Sequence, residues 1–428
     1  MLARYFQLNK FSEYSSPVLY RNLLMHIVDG SVFLFATSFI SVSTILPVFI
    51  QRIGGNAIAV GSVSVLWYLG LYLPQLLFIR FFHNKKKIKP VVLATGLTYR
   101  FQFLVLSLVC FLFLGNLSAS VSVPLMLFLI FTTTITGSTS GPPWFHFFSK
   151  TTPVRLRGRL LALRWMLGSA LGLIAGYLVS IILSSVLYPN NFSLLFLLCF
   201  IFTMVSFFFL NRVEESSETP SDSKQVSFKE ILSQSREILR RNKDFKNYLF
   251  VDALILMSLT ASSFYAVYAV TKFNLPTSYA GAFTIVLMAG QLLGNFIFGY
   301  LADYYGHKIN LLILASASAA ASLSAIFANN ILAFGVVFFF TGCALALQGI
   351  SRLALVVEMC NESERQIYVG LLNTLTAPAI LFGILGGFLI TIIGYVTVFL
   401  IYTMISLTAL YWLYKKVNEP RKLKIGED

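Results

Sequence analysis

The chain of 428 residues is 57% hydrophobic and 11% charged, with a mean hydropathy of +0.78. That composition excludes an ordinary soluble globule. The net charge of +15 would fit a nucleic-acid partner only if it were gathered on one surface, and it is not: the basic residues sit on alternate loops between apolar runs.

A bilayer core of about 30 Å needs about 20 apolar residues per helix. Twelve runs qualify, near residues 25–50, 57–79, 90–114, 120–146, 161–187, 192–211, 247–270, 277–301, 309–328, 331–356, 367–393 and 395–414. Ten-residue strands of alternating polarity are missing from the sequence, which argues against a β-barrel. Arg80, Lys85, Lys86, Lys87 and Lys89 lie on one loop, and Lys150, Arg155, Arg157, Arg159 and Arg164 around the next loop on that side. Lys415, Lys416, Arg421, Lys422 and Lys424 continue the pattern, whereas the opposite loops hold only Arg52 and Lys272. This bias predicts a multi-pass protein of a cell (inner or plasma) membrane with both termini cytoplasmic, its surplus charge facing anionic headgroups.

Residues 1–20 read as a polar, aromatic surface segment; Glu13 and Pro17 before the first long span argue against a cleaved leader. The first span carries Asp29 and then Pro47. Gly70 and Pro74 in the second span, and Gly137, Gly141, Pro142 and Pro143 in the fourth, suggest bending. Gly168, Gly172 and Gly176 give the fifth span a small face for a neighbouring backbone, and Gly383, Gly386 and Gly387 follow Pro378 in a comparable way. Residues 213–246 are the one long polar stretch. There Ser227 to Glu230 reads as a capping box, and Phe228, Ile231, Leu232, Ile238, Leu239 and Phe245 share a helical face. The expected organisation is therefore 1–212, an N-terminal six-helix bundle; 213–246, a cytoplasmic linker with an amphipathic helix; 247–416, a C-terminal six-helix bundle; and 417–428, a cytoplasmic tail.

The halves align as repeats at an offset of 220: Gln51-Arg52 falls on Thr271-Lys272, Gly61 on Gly281, and the 80–89 loop on residues 300–309. His83 then stands where Asp303 is, and Lys86 where Gly306 is.

Gly299-Tyr300-Leu301-Ala302-Asp303-Tyr304-Tyr305-Gly306-His307-Lys308 is a very short loop between two spans. Asp303 meets the negative end of its own helix and needs a partner elsewhere. Gly306 suits a positive φ, and Gly299 offers room for another helix. The segment resembles the loop signature of the major facilitator superfamily, G-x-L-a-D-r-x-G-r-K, with Gly299, Leu301, Asp303, Gly306 and Lys308 matching and His307 in place of the usual arginine. The resemblance implies an all-α integral membrane fold, with twelve transmembrane helices in two pseudo-symmetric six-helix bundles. It also implies secondary transport by alternating access, with Asp303, Gly306 and Lys308 in a cytoplasmic latch near Arg157 and Arg159. Gly172 is followed by Leu173, a departure from the Gly-Pro pair of the drug/proton antiporters.

Ionised groups within the spans are the informative ones, because a lipid-facing charge costs at least ~2.5–3.5 kcal/mol. Arg100 lies eleven residues beyond Lys89, about 16 Å along a helix, and Asp29 eight beyond Arg21, about 12 Å. Either they form a structural Asp29–Arg100 pair or they serve a substrate or proton site. Asp252 lies near the repeat position of Asp29 and is a second proton candidate or an interfacial cap. Arg352 and Glu358, with Glu362, Glu364 and Arg365, either join Asp303 in a cytoplasmic network or are solvated loop charges. His26 and His146 read as interfacial. Trp67, Tyr68, Trp144, Tyr265 and Tyr268 are candidate cavity aromatics. Cys110, Cys199, Cys343 and Cys360 lack metal-ligand spacing. The sequence carries no Walker motif, metal cluster or catalytic carboxylate pair, so neither an enzyme nor a cofactor is expected. The expected activity is transport of a small-molecule substrate by a monomer in the lipid bilayer, with protons as the candidate coupling ion. The aromatic, weakly charged interior leans toward export of an amphipathic or drug-like compound. Nutrient uptake, or a membrane sensor or scaffold that moves no solute, are the alternatives.

Overall fold

A computed structural model describes residues 17–72, 87–215, 228–361 and 364–421. The first half is built from α1 (Pro17–Ser38), α2 (Ile45–Arg52), α3 (Ala57–Tyr72), α4 (Lys89–Phe113), α5 (Ala119–Thr151), α6 (Val154–Ser185) and α7 (Asn190–Asn211). A connecting helix, α8 (Phe228–Arg241), precedes α9 (Lys243–Leu259), α10 (Ser262–Lys272), α11 (Tyr279–Tyr305), α12 (His307–Phe327) and α13 (Ile331–Glu358). The chain ends with α14 (Arg365–Thr376), a 3₁₀ turn (Ala377–Leu381) and α15 (Phe382–Lys416). Among the described residues ten helical runs are long and apolar enough to cross a membrane, the last of them Ile367–Lys416. That last run reverses at Gly394, whose φ of 77° favours glycine. With this turn and the shorter apolar helix α3, the pattern agrees with twelve crossings.

Two crossings expected to be continuous are broken. The first is split into α1 and α2, and the Ser41 carbonyl accepts the amides of Ile45 at 2.9 Å and Leu46 at 3.0 Å. Pro47 explains the break: it has no N–H for the residue-43 carbonyl and is tolerated in the first turn of α2. The seventh crossing breaks between α9 and α10, where the Thr260 hydroxyl donates to the Met257 carbonyl at 2.7 Å. By contrast, α5 runs uninterrupted through Pro124, Pro142 and Pro143. Pro74, His83, Lys85, Lys86 and Ser227 of the expected capping box lie outside the described residues.

The halves meet tightly at the end opposite the described termini, here the far end. A Cβ at Gly172 would strike Met288 of α11, and one at Gly176 would lie 2.9 Å from the Gly281 carbonyl. Likewise Gly61 abuts the Gly383 backbone and Gly387 abuts Ala57. Small residues allow this backbone approach. Hydroxyls and an amide complete the seam: Thr44–Thr284 at 2.6 Å, Ser43–Ser262 at 3.3 Å, Ser180 to the Ser278 carbonyl at 3.0 Å and Gln51–Thr271 at 3.1 Å. Gln51 and Thr271 are 220 residues apart, the repeat offset, so equivalent residues touch across the seam. Gly299 corrects its expectation, because a Cβ there would meet nothing within 4 Å.

Candidate functional site

Two carboxylate–guanidinium pairs lie inside the helical halves. In the first half, Gly30 has no side chain, and the Arg164 guanidinium of α6 occupies the space its Cβ would take. Arg164 Nη2 donates to Asp29 Oδ2 at 3.1 Å, and the Ser206 hydroxyl of α7 donates to Asp29 Oδ1 at 2.7 Å. Asp29 is 2% exposed and Arg164 7%. Trp144 of α5 stacks on the guanidinium at 4.8 Å, with Phe148 at 5.8 Å.

This corrects the expected Asp29–Arg100 pair. Arg100 spends its donors on the Thr203 carbonyl at 2.8 Å and the Gly96 carbonyl at 2.9 Å, and reaches Asp29 only through Ser206, at 3.3 Å. The partner is Arg164, which the sequence groups with the loop charges; it lies ten residues into α6, about 15 Å along the helix, a depth similar to that of Arg100. His26 is fully buried, with Nε2 2.8 Å from the Thr151 hydroxyl. His146 is exposed.

In the second half, Arg352 of α13 grips Asp252 of α9 with Nε–Oδ1 and Nη2–Oδ2 bonds, both 2.8 Å. Asn373 and Thr376 accept its remaining donors at 2.9 and 3.2 Å. Arg352 therefore does not belong to a loop network; it lies six residues before the end of α13, about 9 Å inside. The Tyr72 ring of the first half lies 5.6 Å from the guanidinium, so this pair touches both halves.

At the near end, Gly306 closes the turn between α11 and α12 with φ 91°. The Glu419 carboxylate accepts the Lys308 amide at 3.1 Å. Arg421 bridges Glu358, at 2.7 and 2.8 Å, and the Ala302 carbonyl at 3.1 Å. His307 meets the Ser351 hydroxyl at 3.1 Å and lies 3.8 Å from Glu358. The first half repeats the device: Glu215 accepts the amides of Ile88 at 3.0 Å and Lys89 at 2.9 Å, and Lys150 at 3.1 Å. Ile88 precedes Lys308 by the repeat offset. Each carboxylate occupies a helix N-terminus, where unpaired amides and the dipole favour it. Burial works to raise the Glu215 pKa, but the Ile88 and Lys89 amides and Lys150 outweigh it and hold the carboxyl below its ordinary range. Burial instead pushes Glu419 up, against the opposing Lys308 amide. Neither glutamate was singled out in the sequence, although each follows the last helix of its half by only a few residues.

The Asp303 side chain and Glu362 lie outside the described residues. Arg157 holds the Ser149 carbonyl at 2.5 Å and the Thr152 carbonyl at 3.0 Å, Arg159 is exposed, and Glu364 pairs with Arg241 at 2.9 Å. Of the expected cavity aromatics, Trp144 sits inside the first half on Arg164, and Tyr265 bonds Ser322 at 2.7 Å. Tyr68 stacks on Tyr72 beside the inter-half seam, and Tyr268 packs on Tyr395 and Phe399. The four cysteines are buried and unbridged. Among the described residues there is no group of His, Cys, Asp and Glu suited to a metal ion.

The family model described as Major Facilitator Superfamily matches residues 253–428. No curated protein matches the sequence. Among solved structures, a variant of the nucleoside transporter NupG superposes with a TM-score of 0.72 at 13% identity, covering 92% of this chain and 100% of that one. The D-xylose-proton symporter gives 0.70 at 14%, covering 94% and 99%. The human organic anion transporter MFSD10 gives 0.62 at 13%, covering 93% and 100%.

Proposed function

We propose that this chain, whose residues 253–428 match the Major Facilitator Superfamily model and whose fold is that of solved transporters over more than nine tenths of its length, is a proton-coupled importer of a small neutral polar solute. The two halves rock about a midplane site, and Asp29 carries the proton. The observation behind this reading is where the charges go. Asp29 is engaged by Arg164 and Ser206, Asp252 by Arg352, and Arg100 by backbone carbonyls, all within their own halves. The inter-half seam is left with hydroxyls, amides, small residues and aromatic rings. Among the described residues the charged groups that border this seam, Arg352 and Asp252 beside Tyr72, already neutralise each other, so a charged solute would find its counter-charge already engaged, and a buried unpaired charge is costly. Hydroxyl and amide partners suit a polyol or nucleoside-like solute, which favours uptake over export of an amphipathic compound. In this reading the solute is released at the near end, the cytoplasmic face by the charge bias.

The test is proteoliposomes loaded with a pH-sensitive dye and offered pentoses, hexoses, nucleosides, organic cations and organic anions. Proton influx on addition of a neutral polar solute, lost in Asp29→Asn, is expected. A response confined to organic ions would overturn the choice of substrate class, and influx undiminished in Asp29→Asn would overturn the role of Asp29.

A further inference from the structure

The Thr151 hydroxyl donates to the Phe147 carbonyl at 2.8 Å. Its hydrogen is thereby used, so at its 2.8 Å contact with His26 Nε2 it acts as acceptor. His26 is then the Nε2–H tautomer, and Nδ1 carries a bare lone pair. That Nδ1 is buried and finds no partner among the described residues. Arg164 Nη1 is a buried donor that finds none either. The two side chains flank one ring: Phe148 lies 5.1 Å from the His26 ring and 5.8 Å from the Arg164 guanidinium. An acceptor without a donor and a donor without an acceptor thus lie against one aromatic ring. The second half differs: Arg352 is forked onto Asp252, and its remaining donors reach Asn373 and Thr376.

We propose that Arg164 is a two-position switch and that His26 Nδ1 is its second holder. This rests on the reading of Asp29 as the proton carrier. A proton binds Asp29 and removes the charge that holds Nη2; Arg164 then donates to His26 Nδ1, which stays neutral throughout. When the proton leaves, the guanidinium returns to the carboxylate. The groups facing this cluster come from four helices. From α4 come Arg100 and Tyr99. From α5 come Thr151, Phe147, Phe148 and Trp144, all uncharged. From α6 come Arg164 and, nearer the helix start, Arg157, which holds the Ser149 and Thr152 carbonyls beside Thr151. From α7 come Ser206 and the thiol Cys199. Asp29 is the one carboxylate among them. The pair is single-pointed in this half and forked in the other, so the first half is the proton-responsive one.

Trp144, stacked on Arg164 at 4.8 Å, is a built-in reporter, and it needs no knowledge of the solute. The experiment is a pH titration of emission from the full chain in detergent with Trp67, Trp165 and Trp412 each replaced by Phe. Expected is one sigmoid that disappears in Asp29→Asn. In His26→Leu its midpoint falls by about one pH unit, a tenfold weaker proton affinity, because protonated Asp29 no longer has a second holder for Arg164. His26→Gln, whose amide oxygen accepts a hydrogen bond, restores most of the midpoint. A midpoint unchanged in His26→Leu overturns the role of His26; if that variant is not recovered folded, a midpoint in His26→Gln outside the range between parent and one unit below it does the same. A sigmoid that survives Asp29→Asn, or emission flat from pH 5 to 9 in the parent, overturns the switch. A clear titration in a protein that moves no solute in proteoliposomes would sink the proposed function and leave the switch standing.

Discussion

Arg352 and Asp252 form a bidentate pair with two bonds of 2.8 Å and side chains 6% and 1% exposed. Two charges in that setting repay their desolvation only together. Removing one partner strands the other, at a cost of about 3–5 kcal/mol, whereas replacing both with apolar residues of similar size is close to neutral. Arg352→Met and Asp252→Leu should each lower the thermal midpoint in detergent by far more than the double variant does. Equal losses in all three would mean that the pair is not coupled in this way.

Glu215 and Glu419 occupy equivalent places and should respond oppositely to acid. The Glu215 carboxyl is depressed in the folded state. Its stabilisation is therefore present above its unfolded pKa and is lost as pH falls through its folded one. The Glu419 carboxyl is raised, so its ionisation opposes folding above the carboxylate range and that penalty fades on acidification. Glu215→Gln should cost about 1 kcal/mol at neutral pH, on the scale of a lost helix cap, and less at pH 4. Glu419→Gln should cost less at neutral pH than Glu215→Gln does. Thermal unfolding of both variants at pH 4 and 7 checks the pattern; a greater loss for Glu215→Gln at pH 4 would contradict it.

Glycines at the seam and away from it should separate. A Cβ on Gly281 would enter the α6 backbone at Ser180 and Gly176, and overpacking of that kind costs about 1–3 kcal/mol. Gly281→Ala should destabilise the protein and expose a cysteine placed at Ser180 to a membrane-impermeant thiol reagent. Gly299→Ala meets open space inside a helix and should stabilise it by about 0.5–1 kcal/mol. Similar labelling and similar midpoints in the two variants would refute the distinction.

These contrasts show what the sequence could and could not reveal. The apolar runs and the four-residue glycine spacing in α6 announced helices and a close-packing face, because hydropathy and side-chain size act locally. The break at residues 39–44 was legible in Pro47, although the first span reads as continuous by hydropathy. Partner choice was not legible. Arg100 and Arg164 lie at similar depths, and only the packing of α6 over Gly30 decides which of them reaches Asp29. The Glu215 and Glu419 caps depend on chain segments returning to helices more than 100 residues away, which neither periodicity nor composition records.

Gln51 and Thr271, equivalent residues of the two halves, lie 3.1 Å apart across the closed far end. If solute moves by separation of this seam, tying the two positions together must stop it. The decisive experiment joins Gln51→Cys to Thr271→Cys with a short cleavable thiol cross-linker in proteoliposomes and records solute-driven proton influx before linking, after linking and after cleavage. Alternating access predicts at least a tenfold loss on linking and recovery on cleavage. Full influx with the link in place would contradict it.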